Sequence, residues 1–173
     1  MNAAVASHAC SLRPIVPGDR DALARFYSSL SPESREARFH GAAPAIGDRA
    51  AAFFCGSDHV CREGIVAEAV GPDGRPEIVG HLLLEPAGPG TVEMAIAVAD
   101  AWQHRGIGRA MLLEAVDWAR AHGVDRLTAS MRLTNVAVIG LVRSLGLPVR
   151  FGAADAGVIE ATVELGVAIP HAA

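Results

Sequence analysis

Cysteine is scarce in this sequence of 173 residues: Cys10, Cys55 and Cys61 are the only three. An odd count of that size builds no disulfide framework. Cys55, His59 and Cys61 fall within seven residues, but no second ligand pair follows at zinc-site spacing, so no metal site is expected. Long hydrophobic runs are missing as well. None approaches the roughly 18 apolar residues of a membrane span, and residues 1–11 lack the basic and apolar regions of a secretory signal. The expectation is a cytoplasmic protein without a membrane partner. Positive charge is not in excess: the formal net charge is −4, which disfavours nucleic acid as a partner. No internal repeat or long linker breaks the chain, so residues 1–173 are read as one domain. What is plentiful is apolar surface, 51% of residues, enough to bury a core.

Glycine and proline punctuate the rest. A short strand is expected at residues 12–15, then a turn at Pro17-Gly18-Asp19 with Asp19 capping a helix to about Leu30. Ser31-Pro32-Glu33 starts a second helix, with serine as cap, proline in the first turn and glutamate favoured by the helix dipole. Residues 46–54 read as a further helical piece. Strands follow at 64–70, 78–84 and 92–98, joined by turns at 71–74 and 86–90, and are expected to pair antiparallel. Over residues 107–122, Gly108, Met111, Leu112, Ala115, Val116 and Ala119 share one helical face, and Gly123 follows the helix end. The strand at 126–131 is reached through that helix, so it should run parallel to 92–98. Thr134 or Asn135 caps a last helix ending at Gly146, and 158–165 is a final strand. Residues 168–173 are read as loosely held.

The richest stretch is Gln103-His104-Arg105-Gly106-Ile107-Gly108-Arg109, set between a strand and a helix. The first amides of a helix lack partners within it and carry partial positive charge, so they bind phosphate. Gly106 and Gly108 clear side chains from an approaching anion. His104, Arg105 and Arg109 make a basic cluster in an acidic chain, which suits a small polyanion. The spacing is neither that of the dinucleotide fingerprint nor that of the P-loop. Glu93 is the only acid in the apolar strand 92–98, where a partly desolvated carboxylate could serve as general base. Glu68 and Glu85 are reserve candidates on strand faces or edges. His104 and His122 are weaker acid–base candidates, and Trp102 and Trp118 read as packing residues.

Gln-x-x-Gly-x-Gly between strand and helix resembles the acyl-CoA loop of the GNAT acetyltransferase superfamily, and the order of elements resembles that fold along nearly the whole chain. The resemblance implies an α/β (α+β) fold with a mixed, mostly antiparallel sheet of six to seven strands flanked by helices. It implies acetyl-CoA as cofactor, its pyrophosphate held at Gln103, His104, Arg105, Gly106, Ile107, Gly108 and Arg109. It also implies that the strand carrying Ile96, Ala97 and Val98 splays from its neighbour and offers free backbone groups to pantetheine. Glu93 matches the family's frequent glutamate base, and Asn135 its cofactor-contacting asparagine. The family often places a tyrosine seven residues later as general acid. Here Val142 stands at that position and the only tyrosine is Tyr27.

Leu12-Arg13-Pro14, Pro17, Asp19, Leu30-Ser31-Pro32-Glu33-Ser34 and Arg38-Phe39 resemble the start of bacterial GNAT domains that acetylate protein lysines. The implied acceptor is an amine, on a protein lysine or a small molecule, and a homodimer is compatible with the family. The alternative from another class is a non-catalytic acyl-CoA-binding or sensing module. A nucleotide-binding protein that uses the same loop is a third reading.

Overall fold

The computed structural model describes residues 10–39 and 46–166. The tail at 168–173 lies outside the described residues. Seven strands form one sheet in the order β1-β2-β3-β4-β5-β7-β6. They are β1 (Cys10–Pro14), β2 (Glu63–Val70), β3 (Pro76–Gly88), β4 (Thr91–Val98), β5 (Arg126–Arg132), β6 (Val149–Phe151) and β7 (Val158–Glu164). Every pairing is antiparallel except β4 with β5, which is parallel as the helical crossover requires. The helices are α1 (Arg20–Ser29), α2 (Pro32–Phe39), α3 (Asp48–Phe54), α4 (Ile107–Ala121) and α5 (Val136–Arg143).

Two apolar clusters lie on opposite faces of this sheet. On one, α4 buries Met111, Leu112, Ala115, Val116 and Ala119 against Val92, Met94 and Leu127. This is the face that the helical spacing specifies. On the other, Leu23, Phe26 and Tyr27 of α1 pack with Cys55, Val66, Ile78 and Ala97. Alternation along β4 therefore sends Val92 and Met94 toward α4, and Glu93, Ala95 and Ala97 toward α1–α3.

Local chemistry departs from the sequence expectation in a few places. Asp19 precedes α1 but its side chain makes no cap. The carboxylate turns back to Arg13 (2.8 Å) and the Val16 amide (2.9 Å), while Arg13 also holds Glu68 at 2.8 Å. The Arg13 guanidinium accordingly keeps the Asp19 carboxyl below the usual carboxylate range. Ser31 does cap α2, accepting from the Ser34 amide at 3.1 Å. β3 runs through Pro86 to Gly88 where a turn was expected, and the ladder shifts register between those residues. A bulge tolerates the missing proline N–H.

Candidate active site

β4 and β5 pair at only three positions, Thr91 with Arg126, Val92 with Leu127 and Glu93 with Thr128. Beyond them β4 runs on to Val98 and β5 to Arg132, so a wedge opens in the sheet. The Ala99 amide donates to Val79 on β3, which fixes the alternation of backbone groups. Ala97 faces its partner His81 in that ladder, whereas Ile96 and Val98 turn their groups into the wedge. Gln103 already occupies one of these, its Nε2 donating to the Val98 carbonyl at 3.1 Å.

A cleft of about 550 Å3 fills the wide end of the wedge. Of the residues singled out from the sequence, Ile96, Ala97, Val98, Gln103, His104, Gly106, Gly108, Arg109 and Asn135 line it. Arg105 is exposed and stacks its guanidinium over Trp102, 5.0 Å from the ring centre. Ile107 is buried and its side chain enters the core, at the first position of α4.

The loop is shaped by positive φ at His104 (58°) and Gly106 (82°). Gly106 caps α4 without any side-chain bond, and the first helical bond runs from the Ala110 amide to the Gly106 carbonyl. The amides of residues 107–109 thus have no acceptor inside the helix. A Cβ on Gly106 would meet nothing within 4 Å, so the space over this turn is open. Gly108, which also lines the cleft, has a packing task beyond the one expected. A Cβ there would stand 3.2 Å from Leu141, so this glycine lets α4 approach α5.

The opposite wall is α2, anchored by contacts that the sequence did not reveal. Asp100, just after β4, accepts from the Ser31 amide (2.9 Å) and from the hydroxyls of Ser31 and Ser34 (2.7 Å each). Burial opposes its ionisation, but these donors hold its carboxyl below the usual range. Gln103 donates to Ser34 Oγ at 3.1 Å, tying the glycine loop to the same helix. Arg132 at the end of β5 reaches Glu36 on α2 at 2.8 Å, joining the two walls. Ser31 is visible in the sequence as a cap, but its distant partner Asp100 and the part of Ser34 are not.

Glu93 is exposed rather than partly desolvated, at the rim of a smaller cavity that continues from the cleft. It pairs across the ladder with Glu85, which is engaged by Arg62 at 2.5 Å, while Glu68 is held by Arg13. Among the described residues Glu93 has no ion pair. Asn135 caps α5, its Oδ1 accepting from the Val138 amide at 3.2 Å, and Val142 is buried. Tyr27 is fully buried behind Ala97, its hydroxyl sharing a 2.8 Å hydrogen bond with His81 Nδ1. Burial, helped by the nearby Arg38 charge, pushes the His81 pKa down to about 3. His122 lies at the far end of α4, stacked on Trp118. Cys55 is buried, Cys61 is exposed, and the His59 ring is bound to Glu63 at 2.7 Å.

A split sheet with a glycine loop and an uncapped helix start at its wide end is the architecture of an acyl-CoA-dependent transferase. The profile described as "Acetyltransferase (GNAT) family" matches residues 23–147, and the chain belongs to that family. It is therefore an acyl-CoA N-acyltransferase. Among solved structures it is similar to the GNAT domain of S. lividans PAT, at 26% identity over 90% of each chain with a TM-score of 0.79. A putative acetyltransferase from Salmonella typhimurium, solved with acetyl-CoA, shares 22% identity over 96% of this chain and 98% of that one, TM-score 0.70. A GNAT phosphinothricin acetyltransferase from Sinorhizobium meliloti, in complex with acetyl-CoA, shares 20% over 91% and 89%, TM-score 0.68. No helix among the described residues is long and apolar enough to cross a membrane.

Proposed function

We propose that this enzyme moves the acetyl group of acetyl-CoA to a primary amine, on a protein lysine or a small molecule, with Glu93 taking the amine proton. The observation that supports the reading is the wedge, along which an uncapped helix start, strand groups turned away from the β3–β4 ladder and an unpaired carboxylate follow one another. The donor supplies a thioester, an activated acyl group. The amides of residues 107–109 and the positive charge of Arg109 suit its diphosphate. The Ile96 and Val98 amides face the channel where pantetheine would run. An amine approaching from the α2 side meets Glu93, which accepts its proton directly or through a water. The N–C bond forms, the C–S bond breaks, and the departing thiolate takes its proton from water, since Tyr27 is buried elsewhere. The cytoplasm, the setting expected from the sequence, suits this chemistry.

The test is thiol release from acetyl-CoA with lysine peptides and small amines side by side. Turnover with at least one amine, with a rate that rises with pH and loses that rise in Glu93→Gln, is expected. A flat profile in both proteins removes Glu93 from the reaction. Binding without turnover on any amine returns the sensing reading. All fifteen basic residues are arginine, so self-acetylation of lysine gives no background in this assay.

A further inference from the structure

The smaller cavity, about 240 Å3, continues the wedge to the end that holds Glu93. Among the described residues that line it, only Glu93 and Arg38 carry charge. Arg38 comes from α2, and no carboxylate among the described residues forms an ion pair with it. All nineteen Asp and Glu residues of the chain fall within the described residues, so this covers the whole acidic complement. Two opposite charges therefore share one chamber without neutralising each other.

Arg38 is held in place by rings rather than by an acid. Its guanidinium carbon lies 4.9 Å from the centre of the Phe39 ring and 5.7 Å from that of Phe54. Its Nε is buried and has no hydrogen-bond partner among the described residues. The Tyr27 hydroxyl is engaged by His81, and burial together with the Arg38 charge keeps His81 neutral, so that pair offers no counter-charge. Packing on aromatic rings leaves N–H donors of a planar guanidinium open to a ligand. A carboxylate matches that edge with two parallel hydrogen bonds. Ala37 and Ala95 line the same chamber and take up little of it.

Charge then sorts the acceptors. A purely cationic amine bound for Glu93 approaches a cation that nothing cancels, and like charges repel. An amine that brings its own carboxylate pairs that group with Arg38 while its nitrogen reaches Glu93. We propose that Arg38 selects the acceptor by binding a carboxylate close to the reacting amine, so that the substrate class is an amine with an acidic group beside it. The inference rests on the reading above, in which Glu93 receives the amine. The transfer is unchanged: one N–C bond forms, one C–S bond breaks, the amine proton goes to Glu93, water protonates the thiolate, and the carboxylate takes no part in bond making.

The test compares acceptors that differ by one charge: α-amino acids against their α-carboxamides, and lysine peptides with a neighbouring glutamate against the same peptides with glutamine. Calorimetry in the presence of CoA reads binding without turnover, and the thiol assay reads kcat/KM. The carboxylate member should be favoured at least about tenfold in one series, which tells whether the anion belongs to the amino acid itself or to a neighbouring residue. Arg38→Gln should erase that preference while CoA still binds. Arg38→Lys should restore part of it, because lysine keeps the charge but loses the fork. Should melting curves show that Arg38→Gln does not fold, the wild-type pairs decide alone. Carboxylate members that bind no better than their neutral partners in both series overturn the inference, as does a preference that survives in folded Arg38→Gln. A carboxylate preference in binding with no turnover of any amine upholds the role of Arg38 and overturns the catalytic reading instead.

Discussion

The two halves of the cleft are made of different material. In the proposed function the donor half is mostly backbone: uncapped amides at the start of α4, open space over Gly106, and the wedge-facing groups of Ile96 and Val98. The acceptor half is side chains, with Glu93 at the rim and Arg38 beside the rings of Phe39 and Phe54, 4.9 and 5.7 Å from their centres. Behind them Tyr27 and His81 form a buried polar pair. A site of amides needs only the right turn and helix start, so its requirement is written in a few glycines. A site of side chains depends on which residues several distant elements bring together. The two halves should therefore fail differently when altered.

The largest separation is expected from Glu93→Gln, which should lower turnover about a hundredfold with the dissociation constant for acetyl-CoA unchanged. Calorimetry beside the thiol assay checks it, and an equal loss in binding would erase the distinction between the halves. Gly106→Asp should do the reverse, weakening CoA binding at least about tenfold, roughly 1.4 kcal/mol, through charge repulsion at the open seat. Gly106→Ala should instead cost about 1 kcal/mol of stability, because φ of 82° strains any residue with a Cβ.

The acceptor half should also carry a pH dependence that the donor half lacks. His81 is held neutral when folded, with its pKa down at about 3 from an ordinary 6.5, so the unfolded chain binds the extra proton between those values. Stability should fall as pH drops from 6.5 toward 3, by at most about 1.4 kcal/mol per pH unit from this group. His81→Gln should flatten that slope in melting curves taken between pH 6.5 and 4.5. The smallest effect is expected from Asn135→Ala, about 1 kcal/mol of stability from a lost helix cap.

Periodicity and turn chemistry located most of the scaffold. The buried face of α4 follows from its spacing, and the parallel β4–β5 pair follows from the crossover. β6 is three residues long after Pro148, too short to show alternation, so a strand was expected after the last helix without bounds. The last helix stops at Arg143, because the chain leaves it through turns that bring Gly146 to a φ of 70°. The glycine loop was legible as a turn into a helix start without a side-chain cap, since its chemistry is local. The separate tasks of its two glycines were not, because only packing places Leu141 against Gly108. Asp100 with Ser31 and Ser34, and Arg132 with Glu36, were hidden for the same reason: their partners lie far apart in sequence and meet only when α2 docks.

Trp102 lines the cleft beneath the Arg105 guanidinium, while Trp118, the other indole of the chain, is stacked on His122 at the far end of α4 with ring centres 4.2 Å apart. An anion that draws Arg105 away from the first indole changes its surroundings and leaves the second as a steady reference. Donor occupancy thus has a natural optical signal, and a fluorescence titration can follow it in the unlabelled protein.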